Sequence, residues 1–193
     1  MKREKWIGFF GGSFDPPHLG HLLAAVYALK RFELDEVWFV PAYRHRFAKK
    51  MAPYADRVRM CELLIRGMPH LRVSTVEGER RSDGKTLKTL LALRKKFPRL
   101  HFSLLIGSDL LKETGKWHRF REIEERFSVL VVPRGAATDG GIAIPDISSS
   151  EVRRRRKNER SLAELVSPDV AAFIVENDLY SPTRSSQPPP RTS

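Results

Sequence analysis

Short apolar runs suited to buried strands alternate with segments of helical period along almost the whole chain. Residues 6–10, 37–40, 71–74, 102–106 and 127–132 read as strands. Residues 19–32, 54–67, 86–97, 148–157 and 168–177 read as helices. In the first helix, Leu19, Leu22, Leu23, Val26 and Leu29 form the expected buried stripe. Such alternation requires parallel strands joined by helical crossovers, which predicts a doubly wound, Rossmann-like α/β fold. In that architecture ligands bind beyond the carboxyl ends of the strands, where strand order reverses. The loops after Phe10, Val40, Ile106 and Val132 are therefore the places to look for chemistry.

A chain of 193 residues suits one such domain, expected over residues 1–180. The segment 181–193, rich in Ser, Pro, Arg and Thr, is expected to be a disordered tail. The net charge of +12 favours anionic partners without choosing among nucleic acid, acidic lipid and phosphorylated small molecules. The single cysteine, Cys61, allows no intrachain disulfide and reads as a small core residue. No run approaches the ~20 apolar residues of a membrane span. A cytoplasmic protein without a membrane partner is expected.

The loop after the first strand reads Gly11-Gly12-Ser13-Phe14-Asp15-Pro16-Pro17-His18-Leu19-Gly20-His21. Glycines let backbone N–H groups approach a phosphate closely, and the following helix adds unpaired N–H groups and its positive dipole end. Two imidazoles three residues apart can donate to a phosphoryl group as its charge develops. A helix-surface pair or two metal ligands are the alternatives. His45, His70, His101 and His118 supply no matching ligand cluster in the sequence.

A second anion site is expected at Ser148-Ser149-Ser150-Glu151-Val152-Arg153, where Ser148 and Glu151 have capping-box spacing. Ser149, Ser150 and the first-turn N–H groups face a ligand there, and Arg153 lies one turn further in. An ordinary capped surface helix is the plain alternative. The basic run Arg154–Lys157 wraps around a helix and reads as solvated charge rather than a nucleic-acid stripe.

The first string resembles the His-x-Gly-His signature of the nucleotidylyltransferase superfamily. Its full form, GGSFDPPHLGH, is similar to that of bacterial nicotinate-nucleotide adenylyltransferases. The Ile147–Arg153 segment resembles that family's Ile-Ser-Ser-x-x-x-Arg motif, and the likeness extends from about Trp6 to Tyr180. It implies transfer of AMP from ATP to nicotinate mononucleotide, giving deamido-NAD and pyrophosphate, with Mg²⁺ accompanying ATP. His18, His21 and Arg153 are implied as the catalytic groups. Gly11, Gly12, Ser13, Phe14, Gly107, Asp109, Arg134, Ser149 and Ser150 join them in binding ATP. Ser13, Lys49, Lys85, Thr86, Trp117 and His118 are implied for the mononucleotide, Trp117 by stacking on the pyridine ring. No metal ligand is implied. Asp109 also fits a helix N-cap, Trp117 also fits core packing, and Arg57 reads as structural.

The chain departs from the family at residues 42–50, where Lys49 or Lys50 takes the place of a motif lysine, and at Lys85, which replaces an aromatic residue. The stretch 135–145 is also short. These departures surround the acceptor rather than the reacting phosphates. The rival readings are transfer to nicotinamide mononucleotide or to phosphopantetheine, and an RNA-binding protein. The interleaved aromatic and basic residues of an RNA-stacking platform are missing from the sequence.

Overall fold

The computed structural model describes residues 4–44, 51–135 and 144–182. Five parallel strands form one sheet: β1 (Lys5–Gly12), β2 (Glu36–Pro41), β3 (Leu71–Val73), β4 (Leu100–Gly107) and β5 (Val129–Val132). Their order is β3-β2-β1-β4-β5, so the direction of winding reverses between β1 and β4. Among the described residues seven α-helices accompany the sheet: α1 (Leu19–Arg31), α2 (Tyr54–Leu64), α3 (Val76–Glu79), α4 (Thr86–Lys96), α5 (Phe120–Arg126), α6 (Ser149–Lys157) and α7 (Pro168–Glu176). A 3₁₀ helix covers Ser108–Lys116. The doubly wound α/β expectation thus matches the structure. Among the described residues no helix is long and apolar enough to cross a membrane. Of the segment expected to form a tail, 183–193 lie outside the described residues.

Burial on both faces explains why the strand segments read as continuous apolar runs. Val37 and Phe39 point into a core shared with α1, α2 and α7. Their neighbours Trp38 and Val40 point into the opposite core, under α4 and α5, together with Ile7, Phe9, Leu104 and Ile106. Cys61 is fully buried in the first core, and burial pushes its thiol pKa well up.

The expected stripe on α1 is corrected by this packing. The helix seats itself on Gly20, Ala24, Ala25 and Ala28, while Leu23 is 44% exposed and Val26 37%. Small residues allow close approach of helix to sheet; Leu19, Leu22 and Leu29 fill the flanks. Period alone could not separate these two faces, because α1 is apolar over most of its circumference.

Several boundaries also differ. α2 ends at Leu64 rather than 67, with Gly67 beyond it at φ +80°. The strands β1 and β4 are longer than expected, and α3, α5 and the 3₁₀ helix were not anticipated. They are short, and too few turns lie within each to show a helical period. At α6, Ser148 accepts from the Glu151 N–H at 3.2 Å, as expected of the cap. The reciprocal half of the box is replaced: Glu151 binds Arg154 and Arg155, at 2.8 and 3.0 Å to their Nε atoms.

Candidate active site

The carboxyl ends of β1 and β4 diverge at the reversal of strand order. A small cavity of about 50 Å³ opens there, lined by β1, β4, α1 and Arg134. A larger one, about 300 Å³, lies on the other side of Gly11 and reaches Gly12, Ser13, Lys85, Thr86, Trp117 and His118. Gly11 lines both cavities. Two cavities therefore adjoin at the end of the central strand.

His21 lines the small cavity, and His18 lies against it. His18 is the N-cap of α1, in extended conformation, and is buried; His21 lies in the first turn. Their rings are 3.6 Å apart, centroid to centroid, tilted by 31°. The His18 N–H donates to His21 Nδ1 at 3.1 Å, which leaves the His21 proton on Nε2. Burial, reinforced by the Arg134 guanidinium, lowers the His18 pKa to about 3. Burial, His18 and Arg134 likewise lower that of His21. Both imidazoles are neutral at pH 7 and each can donate one N–H. Among the described residues the buried His18 Nδ1 has no hydrogen-bond partner. A Cβ on Gly20 would stand 3.0 Å from that Nδ1, so glycine leaves the imidazole its place.

These shifts make stability pH-dependent. In the unfolded chain His18 takes up a proton near pH ~6.5, whereas the folded protein resists it down to about 3. The folded pKa is the lower one, so this contribution is complete above ~6.5 and declines as pH falls toward 3. Between pH 7.5 and 4.5, the melting temperature of the wild type is expected to fall more than that of His18→Gln. Equal falls would show that His18 is not the linked group.

The glycine-rich loop is held by contacts from distant parts of the chain. Arg57, 1% exposed, donates to the Ser13 carbonyl at 2.7 Å and the Ala52 carbonyl at 3.0 Å, in keeping with its structural reading. The buried Asp15 carboxylate accepts from the Ala52 N–H at 3.0 Å and the Tyr180 hydroxyl at 2.9 Å. Burial and this acid raise the Tyr180 pKa. Asp15 was not singled out in the sequence; an acid in a turn gives no local sign that Tyr180 will reach it. Phe14 adopts φ 46°, an uncommon conformation for a bulky residue. Its ring is buried against Phe10, Phe39 and His21. Only its backbone can then face a nucleotide, a narrower part than the sequence implied.

The second motif meets the first. Ser149 donates to the Pro16 carbonyl at 2.8 Å, and Arg153 donates to the Asp15 carbonyl at 2.6 Å and to Ser150 Oγ at 3.2 Å. Arg134 links the remaining parts: it donates to the Ile147 carbonyl at 3.0 Å and approaches Asp109 at 3.4 Å. A Cβ on Gly107 would stand 2.9 Å from Arg134 Cδ and collide with the Asp109 carboxylate. Asp109 lies inside the 3₁₀ helix rather than capping it. The structure thus gathers His18, His21, Gly107, Asp109, Arg134, Ser149, Ser150 and Arg153 around one end of the sheet.

Charges of both signs line the larger cavity, the acids being Glu77 and Glu113. Lys85, the N-cap of α4, forms an ion pair with Asp83 at 2.9 Å. The Trp117 N–H donates to the Thr114 carbonyl at 2.9 Å and is not a free donor. Its ring stands edge-on to Phe120 and packs on the second core while lining the cavity, so packing and a ligand face coexist. The first-turn N–H groups of α4, beginning at Thr86, have no acceptor within the helix. Arg44 and Lys116 are additional cations on the wall. Lys49 and Lys50 lie outside the described residues. Among those residues no group of three or more His, Cys, Asp or Glu is placed to hold a metal ion.

Comparison with known proteins gives a consistent pattern. The cytidylyltransferase-like family model matches residues 9–155. A protein of Anaeromyxobacter dehalogenans (strain 2CP-C), named "Probable nicotinate-nucleotide adenylyltransferase", is 39% identical over 185 residues, covering 93% of this chain and 99% of the relative. One of the same name from Salinibacter ruber is 38% identical over 192 residues, covering 92% and 98%. Among solved structures, Plasmodium falciparum nicotinic acid mononucleotide adenylyltransferase complexed with NaAD has a TM-score of 0.74 at 20% identity. That alignment covers 91% of this chain and 97% of the other, and it shows the shared fold.

Proposed function

This chain belongs to the nicotinate-nucleotide adenylyltransferase family, and we infer that it joins the AMP part of ATP to the phosphate of nicotinate mononucleotide. The observation that carries this reading is the pair of adjoining cavities at Gly11, with the His21 imidazole lining the smaller one and that of His18 packed against it. A reaction between two nucleotides needs two sites that meet at the reacting phosphates.

The chemistry then follows from position. A phosphate oxygen of the mononucleotide attacks the α-phosphorus of ATP in line. A new P–O bond forms, the bond from α-phosphorus to the bridging oxygen breaks, and pyrophosphate leaves. The attacking oxygen belongs to the substrate, so no protein nucleophile is required. His18 and His21 donate N–H groups to the phosphoryl oxygens as charge builds on them. Arg153, Ser150 and the α6 N-terminus hold the outer phosphates, and Asp109 accepts from a ribose hydroxyl. Mg²⁺ enters with ATP as part of that substrate, bound by phosphates and water. The same reading puts the reaction in the cytoplasm.

The acceptor is proposed to be the acid rather than the amide. Arg44, Lys85 and Lys116 outnumber Glu77 and Glu113 on the cavity wall. The first-turn N–H groups of α4 add positive potential, and a carboxylate gains more from such donors than a carboxamide does. Trp117 stacks on either ring and does not discriminate. Pyrophosphate release from ATP is expected with nicotinate mononucleotide, with some activity on nicotinamide mononucleotide and none on phosphopantetheine. Measured kcat/KM for the two pyridine nucleotides tests the order; an acid-to-amide ratio at or below one refutes it. Retention of RNA in place of pyrophosphate release would favour the nucleic-acid alternative.

A further inference from the structure

We propose that Glu77 is a positioning residue for the acceptor pocket, fixing two of its walls through its two carboxylate oxygens. The proposal rests on the acceptor reading above. Glu77 lies on the short helix α3 and is 4% exposed, yet it lines the larger cavity. One oxygen accepts from the Thr89 hydroxyl of α4, and the other from the Tyr43 N–H at 3.3 Å.

Each partner controls one wall. Thr89 is one turn into α4; its own N–H bonds the Lys85 carbonyl at 3.3 Å. Holding Thr89 therefore holds the first turn, which brings Lys85 and Thr86 to the cavity. Tyr43 lies in the loop after β2 and is followed by Arg44 on the cavity wall. That loop also approaches Gly84, at φ +74°, where a Cβ would stand 2.8 Å from the Arg44 carbonyl oxygen. Its backbone thus meets both Glu77 and the turn before α4.

α3 is itself anchored. The Gly78 N–H donates to the Tyr54 hydroxyl at 3.2 Å, and Tyr54 packs edge-on against the Tyr43 ring at 5.3 Å. A negative group beside an anion site is unfavourable in Coulomb terms, so charge attraction does not explain Glu77. Its acceptor geometry does. Glutamine retains most of that geometry: its carbonyl accepts from Tyr43, while its NH₂ group donates to Thr89 Oγ1. Alanine retains none.

The experiment is steady-state kinetics with each substrate varied in turn, on the full chain. The loss of one or two buried hydrogen bonds is expected to raise KM for nicotinate mononucleotide about tenfold in Glu77→Ala. KM for ATP and kcat stay close to wild type. Glu77→Gln recovers most of the acceptor KM, and Thr89→Val gives a rise of about threefold. Equal rises in both KM values, no rise in either, or Glu77→Gln as impaired as Glu77→Ala would each overturn the proposal. If Glu77→Ala does not fold, Thr89→Val decides on the same criterion. A wild-type protein inactive with nicotinate mononucleotide would instead overturn the acceptor reading.

Discussion

Replacing either His18 or His21 with alanine is expected to lower kcat by about 10²–10³, the usual loss for one donor to a transition state. The expectation rests on geometry as well as motif. The ring centroids lie 3.6 Å apart, and the lowered pKa values keep both rings neutral. A neutral donor binds the ground-state phosphate less strongly than a cation does. Its contribution therefore grows as charge develops on the reacting oxygens, and kcat should suffer more than KM. Each substitution also affects the other ring. Without the imidazole of His21, the His18 N–H loses its 3.1 Å acceptor. The paired variant should therefore lose less than the product of the two single losses, because the groups act as a unit. Circular dichroism and melting curves establish that the variants are folded. Near-normal turnover in both folded single variants would remove the histidines from the mechanism.

The second large effect belongs to Arg153. Arg153→Ala is expected to weaken ATP binding by about 10- to 100-fold, the range for a charge-assisted contact. Arg154→Ala should change it by less than about twofold, because an exposed ion pair contributes little. Arg154 is 63% exposed and paired with Glu151. Arg153 instead reaches the Asp15 carbonyl and lies 3.7 Å from the Asp15 carboxylate. It thus ties α6 to the glycine-rich loop, and on the proposed reading it also presents charge to phosphate. Arg153→Lys separates these functions: lysine keeps the charge but cannot donate in the same planar fork. A lysine variant that binds ATP nearly as well as wild type would point to charge, and one as weak as alanine to the fork. Equal ATP affinities for the Arg153→Ala and Arg154→Ala variants would replace the specific contact with a diffuse basic surface.

Local pattern and tertiary contact contributed differently to these conclusions. The parallel sheet was legible because Val37–Val40 and their counterparts are apolar on both faces, which only a sheet covered on both sides requires. The glycines, His18 and His21 were legible because phosphate chemistry confines close backbone approach and N–H donors to one short string. The Ser148 cap was legible for the same local reason.

Contacts between distant segments were not legible. Leu23 and Val26 carry the same apolar signal as Leu19 and Leu22. Their exposure followed only once α1 had seated its alanines on the sheet. The histidines' spacing indicated donors, but their neutrality depends on burial and on Arg134, brought alongside from beyond β5. Asp15 meets Tyr180, 165 positions away, only through the closing turn after α7. Glu77 faces Tyr43 and Thr89 because α3 lies between two connections whose ends the sheet brings together. Period and motif report what a residue does within a turn or two of itself. A hydrogen bond between distant segments depends on the path of the whole backbone, which was decided only when the two faces of the sheet were covered.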